Sequence, residues 1–176
     1  MTFTGTQNAP IIFAGNNINA TSPIISAEAD LTMTYCTMQS NVNTSNSGGG
    51  AILVQSGTVT LDNCTFIGNG TLGQGGALYI EGQTTKSQIT SSSFTNNTAT
   101  SGGGAIIYNG DVAVGTDYTH TLRSCTFTGN STSGGNGGGI YMHKGYVTID
   151  GMKCLATLKG LRTIVLVILE LLANHS

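Results

Sequence analysis

The chain is 176 residues long, which bounds it to one domain, and only 8% of its residues are charged, against roughly a quarter in ordinary soluble domains. Six Lys and Arg against eight Asp and Glu leave a net charge of −2, so no basic patch is available to hold phosphates, and nucleic acid is excluded as an expected partner. With 26 glycines and many Thr, Ser and Asn, the surface must be built of neutral hydroxyl and amide groups.

At the start, Met1-Thr2-Phe3-Thr4 lacks the basic and apolar regions of a signal peptide. Thr2-Phe3-Thr4-Gly5 echoes Thr126-Phe127-Thr128-Gly129, which predicts a chain that begins partway through a repeat. Two phrases then alternate along the chain. One is an aromatic with Asn three places on: Phe66…Asn69, Phe94…Asn97 and Phe127…Asn130, with Met38…Asn41 as a weaker first copy. The other is a glycine pair opening onto an apolar segment: Gly49-Gly50-Ala51-Ile52, Gly75-Gly76-Ala77-Leu78, Gly103-Gly104-Ala105-Ile106 and Gly138-Gly139-Ile140-Tyr141. The aromatics step by 28, 28 and 33 residues and the second glycines by 26, 28 and 35. An insertion around residues 110–118, expected as a loop, accounts for the longer last step. Cys36, Cys64, Ser92 and Cys125 keep register two places before the aromatic, and Met33, Leu61, Ile89 and Leu122 three places further back. A unit of about 28 residues is a solenoid coil, not a globular domain.

The segments between Gly/Asn/Ser clusters are short and β-branched, which predicts strands over 51–54, 58–61, 77–80, 105–108 and 146–149. Val59 and Leu61 share one face by period two, and Cys64 and Phe66 share one in the opposite parity. Both pairs point inward only if the chain bends at Asp62-Asn63, a turn-forming pair. The expected fold is therefore all-β: a parallel β-helix of about five coils, with a Phe stack inside, an Asn ladder at one turn and glycines at another. The Asn ladder is expected to combine stacked amides with left-handed backbone, which Asn tolerates.

These phrases resemble the repeat of chlamydial-type polymorphic outer membrane proteins. The resemblance covers roughly residues 33–149; the last glycine copy departs from it, with Ile140 where Ala is expected. It implies a right-handed β-helix at the outer-membrane surface or secreted, acting as an adhesin-like autotransporter passenger. It also implies a host-cell surface protein or glycan as partner. The alternative is a carbohydrate-active or tailspike-like β-helix, since polysaccharide-degrading enzymes also use this architecture.

Catalytic, metal and cofactor motifs are not found, and the chain is expected not to be an enzyme. A glycosidase needs two carboxylates converging across the bond it cleaves. Asp62 and Asp150 occupy equivalent places three coils apart, about 14 Å at the usual strand spacing. Asp111, Asp117 and His120 form the only cluster suited to local chemistry or a weak calcium site, with a solvated loop as the plain reading. His143-Lys144 reads as an exposed turn. The cysteines show no zinc spacing. Neighbouring coils bring Cys36 near Cys64, and Cys125 near Cys154, within disulfide reach, but parallel columns favour buried thiols. In the glycine-initiated strand, Leu53, Tyr79, Ile107 and Tyr141 alternate with the inward columns, so they are expected to form an outward apolar stripe, a candidate protein or glycan contact. Glycosylation sequons occur at Asn19, Asn43, Asn63, Asn69, Asn96 and Asn130.

After Cys154 the composition changes. Residues 155–176 turn rich in Leu, Ile and Val, with an apolar run too short to span a bilayer. The domain reading is thus 1–154 as β-helix repeats and 155–176 as a tail, either a capping helix or the product of a shifted reading frame.

Overall fold

The structure is a computed structural model that describes residues 1–15, 21–81, 86–109, 119–144, 146–151 and 153–154. Among them the chain winds into a β-solenoid of about five turns in which every strand-to-strand pairing is parallel. One coil shows the plan. Thr58–Asp62 makes a first face, Thr65–Ile67 a second, Gly70–Thr71 a short third, and Leu78–Glu81 a fourth. Stacking repeats each face as a sheet. The first and second have six strands, the third four and the fourth five.

Period-two alternation places the apolar residues. In Thr58–Asp62 only Val59 and Leu61 are buried, and in Lys86–Thr90 only Ser87 and Ile89. Strand pairing then stacks like on like: Phe3, Met33, Leu61, Ile89, Leu122 and Ile149 form one lumen column. Phe66, Phe94 and Phe127 form another, with ring centroids 4.7 and 4.8 Å apart and planes within 4° and 8° of parallel. That spacing is the strand spacing itself, so the ladder holds the rings in a continuous stack.

At three of the corners a left-handed residue recurs from coil to coil. At the first it is Tyr35, Asn63, Ser91 and Ser124 (φ 49, 50, 48 and 53°). The bend expected at Asp62-Asn63 is this corner. At the second corner it is Ser40, Gly68, Asn96 and Gly129, one place before the Asn of each Phe-x-x-Asn phrase. The expectation that Asn41, Asn69, Asn97 and Asn130 are themselves left-handed is thereby corrected; none has a positive φ. Their role is the ladder alone. Each turns inward and is buried, and Nδ2 of Asn41, Asn69 and Asn97 donates to Oδ1 of the Asn one coil on, at 2.9 Å in all three steps. The same Oδ1 also accepts the backbone N–H of the residue whose Nδ2 it holds (Asn41 N–H on Asn69 Oδ1, for example), and each Nδ2 also donates to the carbonyl of Phe13, Met38, Phe66 or Phe94 one coil back.

The third corner uses Gly49, Gly75, Gly103 and Gly137, all left-handed. Next come Gly50, Gly76, Gly104 and Gly138, where a Cβ would overlap the following coil's carbonyl oxygen for the first three. The fourth copy of the glycine phrase is therefore Gly137-Gly138-Gly139-Ile140, and Gly139 stands where Ala51, Ala77 and Ala105 stand in the other coils. The steps become 26, 28 and 34 residues, and Ile140 falls in the Ile52/Leu78/Ile106 column without any departure.

Two other registers are corrected. Phe3 pairs with Met33 on the first face, so Thr2-Phe3-Thr4 is not a copy of Thr126-Phe127-Thr128. The aromatic column begins instead at Phe13, which pairs with Met38. Its phrase continues to Asn16, which lies outside the described residues. At the other end, Cys154 pairs with Phe127 and belongs to the aromatic column rather than the cysteine column. Cys36, Cys64 and Cys125 are free, buried thiols at an inner corner, each donating to the carbonyl two residues back. Burial raises their pKa values, that of Cys64 to about 11, so they stay protonated. The insertion at 110–118 and the tail at 155–176 lie outside the described residues.

Candidate functional site

Leu53, Tyr79, Ile107 and Tyr141 do line up across the fourth face, on the side away from the lumen. They are not exposed. Leu53 and Tyr79 retain 8% and 7% of their surface and Ile107 none, with Tyr141 half-buried beside them. The expected outward stripe is a second, smaller core, because the glycine-bearing segment between the third and fourth faces folds back over it. The missing side chains of Gly48, Gly75 and Gly102 make room for Tyr79, Ile107 and Tyr141 of the following coil. Asn43 ties down the first of these segments, donating from Nδ2 to the Gly48 and Gly49 carbonyls (3.1 Å each). Period two could show that the stripe leaves the lumen; it carried no signal that the glycine segment covers it.

Of the expected acid–histidine cluster, Asp111 and Asp117 lie outside the described residues, and His120 points into the lumen. It stacks in the column of Leu31, Val59, Ser87 and Val147. Its ring lies 4.3 Å from that of Tyr108, and Nδ1 is hydrogen-bonded to Ser87 Oγ at 3.1 Å. Ser87 Oγ also donates to Tyr108 Oη at 3.4 Å. Burial pushes the imidazole from the ordinary 6.5 down to about 4 and raises the Tyr108 phenol. Since the folded pKa is the lower one, protonation favours the unfolded chain. The contribution of His120 to stability is therefore expected to be full above about pH 6.5 and to fall by roughly 3 kcal/mol as the pH drops to about 4. Urea titrations between these limits should show that loss, and His120→Val should flatten it.

Asp62 and Asp150 share one column, separated by Thr90 and Arg123, so they stand three coils apart as expected. Asp150 is paired with Arg123 at 3.2 Å on the surface. His143 and Lys144 are not a turn but the end of the strand Ile140–Lys144, with His143 exposed. Among the described residues no three His, Cys, Asp or Glu side chains gather as a metal site.

What the solenoid presents outward is hydroxyl. On the first face Thr2, Thr32, Thr60, Gln88, Thr121 and Thr148 form one column, and on the second Thr37, Thr65, Ser93 and Thr126 form another. Two grooves open on this surface. One, about 400 Å³, follows the third face past Leu72 and Thr98. The other, about 350 Å³, lies at the first corner over Tyr35, Asn63 and Ser91. Of the described sequons, Asn43, Asn69 and Asn130 are buried in side-chain hydrogen bonds, which leaves only Asn63 and Asn96 with accessible amides.

The model of the Chlamydia polymorphic membrane protein repeat matches residues 63–81, 91–106 and 124–142. Each match opens on the left-handed residue of the first corner (Asn63, Ser91 or Ser124) and runs through the Phe-x-x-Asn phrase and the glycine corner onto the fourth face. The chain carries polymorphic membrane protein repeats. Such repeats mark a surface-associated repeat protein with a β-solenoid fold. No curated protein and no solved structure gives a significant match to the chain. In this chain the repeated phrases are spent on the lumen, the Asn ladder and the glycine corner. Among the described residues no helix is long and apolar enough to cross a membrane.

Proposed function

We propose that this region is a non-catalytic, surface-displayed or secreted β-solenoid that works by contact, as an adhesin-like segment of an autotransporter-type passenger. The observation that supports it most is the family repeat itself, stacked so that long, nearly uncharged hydroxyl faces are turned to solvent. A neutral face of fixed spacing meets another cell's glycans or proteins without a strong field of either sign to repel them. Its rigidity also limits the ordering cost of contact.

Microspheres coated with the purified region, offered to a panel of eukaryotic cells, should attach several-fold more than spheres coated with an unrelated β-solenoid. Attachment no better than that control would overturn the adhesive reading. Release of reducing or unsaturated sugar ends from polysaccharides by the purified region would overturn the non-catalytic one.

A further inference from the structure

The first corner is tight in most coils. A single left-handed residue carries the chain from the first face toward the second. Where the amino-terminal coil makes this corner the chain takes a longer path, over residues 5–10 between Thr2–Thr4 and Ile11–Ala14. This detour is closed on itself: Thr6 N–H donates to the Ala9 carbonyl (3.0 Å) and Ala9 N–H to the Thr6 carbonyl (3.1 Å) and Thr6 Oγ1 (3.1 Å). Gly5 and Ile11 anchor its two ends to the Thr34 and Tyr35 carbonyls. It is therefore a stiff wall, and it stands beside the groove floored by Tyr35, Thr37, Asn63, Thr65 and Ser91.

Tyr35 is the second irregularity, on the same groove. It occupies a left-handed position (φ 49°) that the following coils give to Asn63, Ser91 and Ser124. Asn tolerates that conformation, whereas a bulky side chain there is strained. Among the described residues, an aromatic ring held in an unfavourable backbone beside the one first corner that grows a wall points to a role other than folding.

We propose that this groove is a binding site for an uncharged saccharide. The aromatic ring of Tyr35 offers a face on which the C–H side of a sugar ring packs, and the surrounding groups match sugar hydroxyls. Thr37, Thr65 and Ser91 offer hydroxyls, and Asn63 and Gln7 offer amides, each able to donate and accept. Among the described residues the side chains of Gln7, Tyr35 and Thr37 find no hydrogen-bond partner. Among the described residues nothing charged lines the groove, so they supply no counter-ion for a uronate or a sulfate. A peptide strand has no purchase here either. The corner amides of Tyr35, Asn63 and Ser91 are already given to the Asp62, Thr90 and Arg123 carbonyls, leaving no sheet edge to extend. A volume of about 350 Å³ suits a short segment of a sugar chain. Thr6, Gln7, Pro10 and Tyr35 all lie outside the stretches matched by the family model, so the site belongs to this chain and not to the repeat.

The site gives the adhesive reading a ligand class and rests on that reading only for its biological use. The test needs protein made in a host that does not glycosylate Asn63, whose sequon opens onto the groove. Isothermal titration is run with neutral oligomers of glucose, galactose, mannose and N-acetylglucosamine, and with uronate and sulfated oligomers as controls. Wild-type protein should bind at least one neutral oligomer and none of the acidic ones. Tyr35→Asn should weaken that binding at least tenfold with a melting temperature equal to or above wild type, because Asn relieves the strain. Gln7→Ala should weaken it several-fold with no change in melting. No neutral oligomer bound at millimolar concentration, equal binding by Tyr35→Asn, or equal affinity for acidic oligomers would each overturn the proposal. Saccharide binding without cell attachment would leave the groove standing and sink the adhesin. Attachment undiminished in Tyr35→Asn protein that no longer binds saccharide would do the reverse for the groove as the means of attachment.

Discussion

Asn97→Ala is expected to destabilise the solenoid by about 3–6 kcal/mol, enough to abolish folding in a domain of ordinary stability. The substitution removes four hydrogen bonds at once from a fully buried position. Nδ2 donates to the Phe66 carbonyl (3.0 Å) and to Asn130 Oδ1 (2.9 Å), while Oδ1 accepts from Asn69 N–H (3.0 Å) and Asn69 Nδ2 (2.9 Å). Water cannot replace these partners, so the backbone N–H of Asn69 is left without an acceptor. Among the described residues the same change at Asn41 has less to remove. Asn41 Nδ2 makes two bonds, to the Phe13 carbonyl and Asn69 Oδ1, and its Oδ1 has no partner among the described residues. Asn41→Ala should cost about 1–3 kcal/mol. Urea unfolding of both variants measures the difference; equal, small losses would mean that the ladder does not hold the coils.

The glycine corner gives the second large effect, with opposite signs at two positions of one phrase. A Cβ at Gly104 would fall within the contact distance of the Gly138 and Ser131 carbonyl oxygens, and one at Gly76 would meet those of Gly104 and Thr98. All four are backbone atoms of the stacked sheets, with no rotamer to yield. Gly104→Ala must push coils apart and should cost about 3 kcal/mol or more, with loss of cooperative melting. At Gly139 the same added methyl would sit 3.8 Å from Phe127 Cδ1 and 4.0 Å from its Cβ, ordinary contact distances. The other coils already carry Ala51, Ala77 and Ala105 at that place. Gly139→Ala should therefore stabilise by about 0.4–1 kcal/mol, by restricting the unfolded chain. Thermal melting of the pair reads both signs.

How much of this was legible in the sequence depended on where the cause lay. Columns such as Met33/Leu61/Ile89/Leu122 were readable because one register and period-two alternation fix them, and the parallel pairing reproduces them residue for residue. The Asn ladder was readable as a column, but not as an interior one. Its left-handed partner sits one place earlier and changes identity between Ser, Gly and Asn, so no phrase marks it. Registers at the ends slipped, since Phe3 and Cys154 resemble motif residues in kind while belonging to other columns. The Tyr79 stripe was aligned correctly and misplaced in depth, because burial there depends on a non-strand segment folding back over the face. The corner groove was not visible at all. It arises from the meeting of residues 6–10 with residues of the next two to three coils, and no sequence period connects them.

The solenoid requires one coil per repeat, each Phe lying directly on the next. The direct measurement is a set of nuclear Overhauser contacts in protein with selectively labelled phenylalanine. Ring-to-ring contacts should link Phe66 with Phe94 and Phe94 with Phe127, as centroids 4.7 and 4.8 Å apart require, and should be absent between Phe66 and Phe127. Missing sequential contacts, or a direct contact between Phe66 and Phe127, would contradict the stacked solenoid.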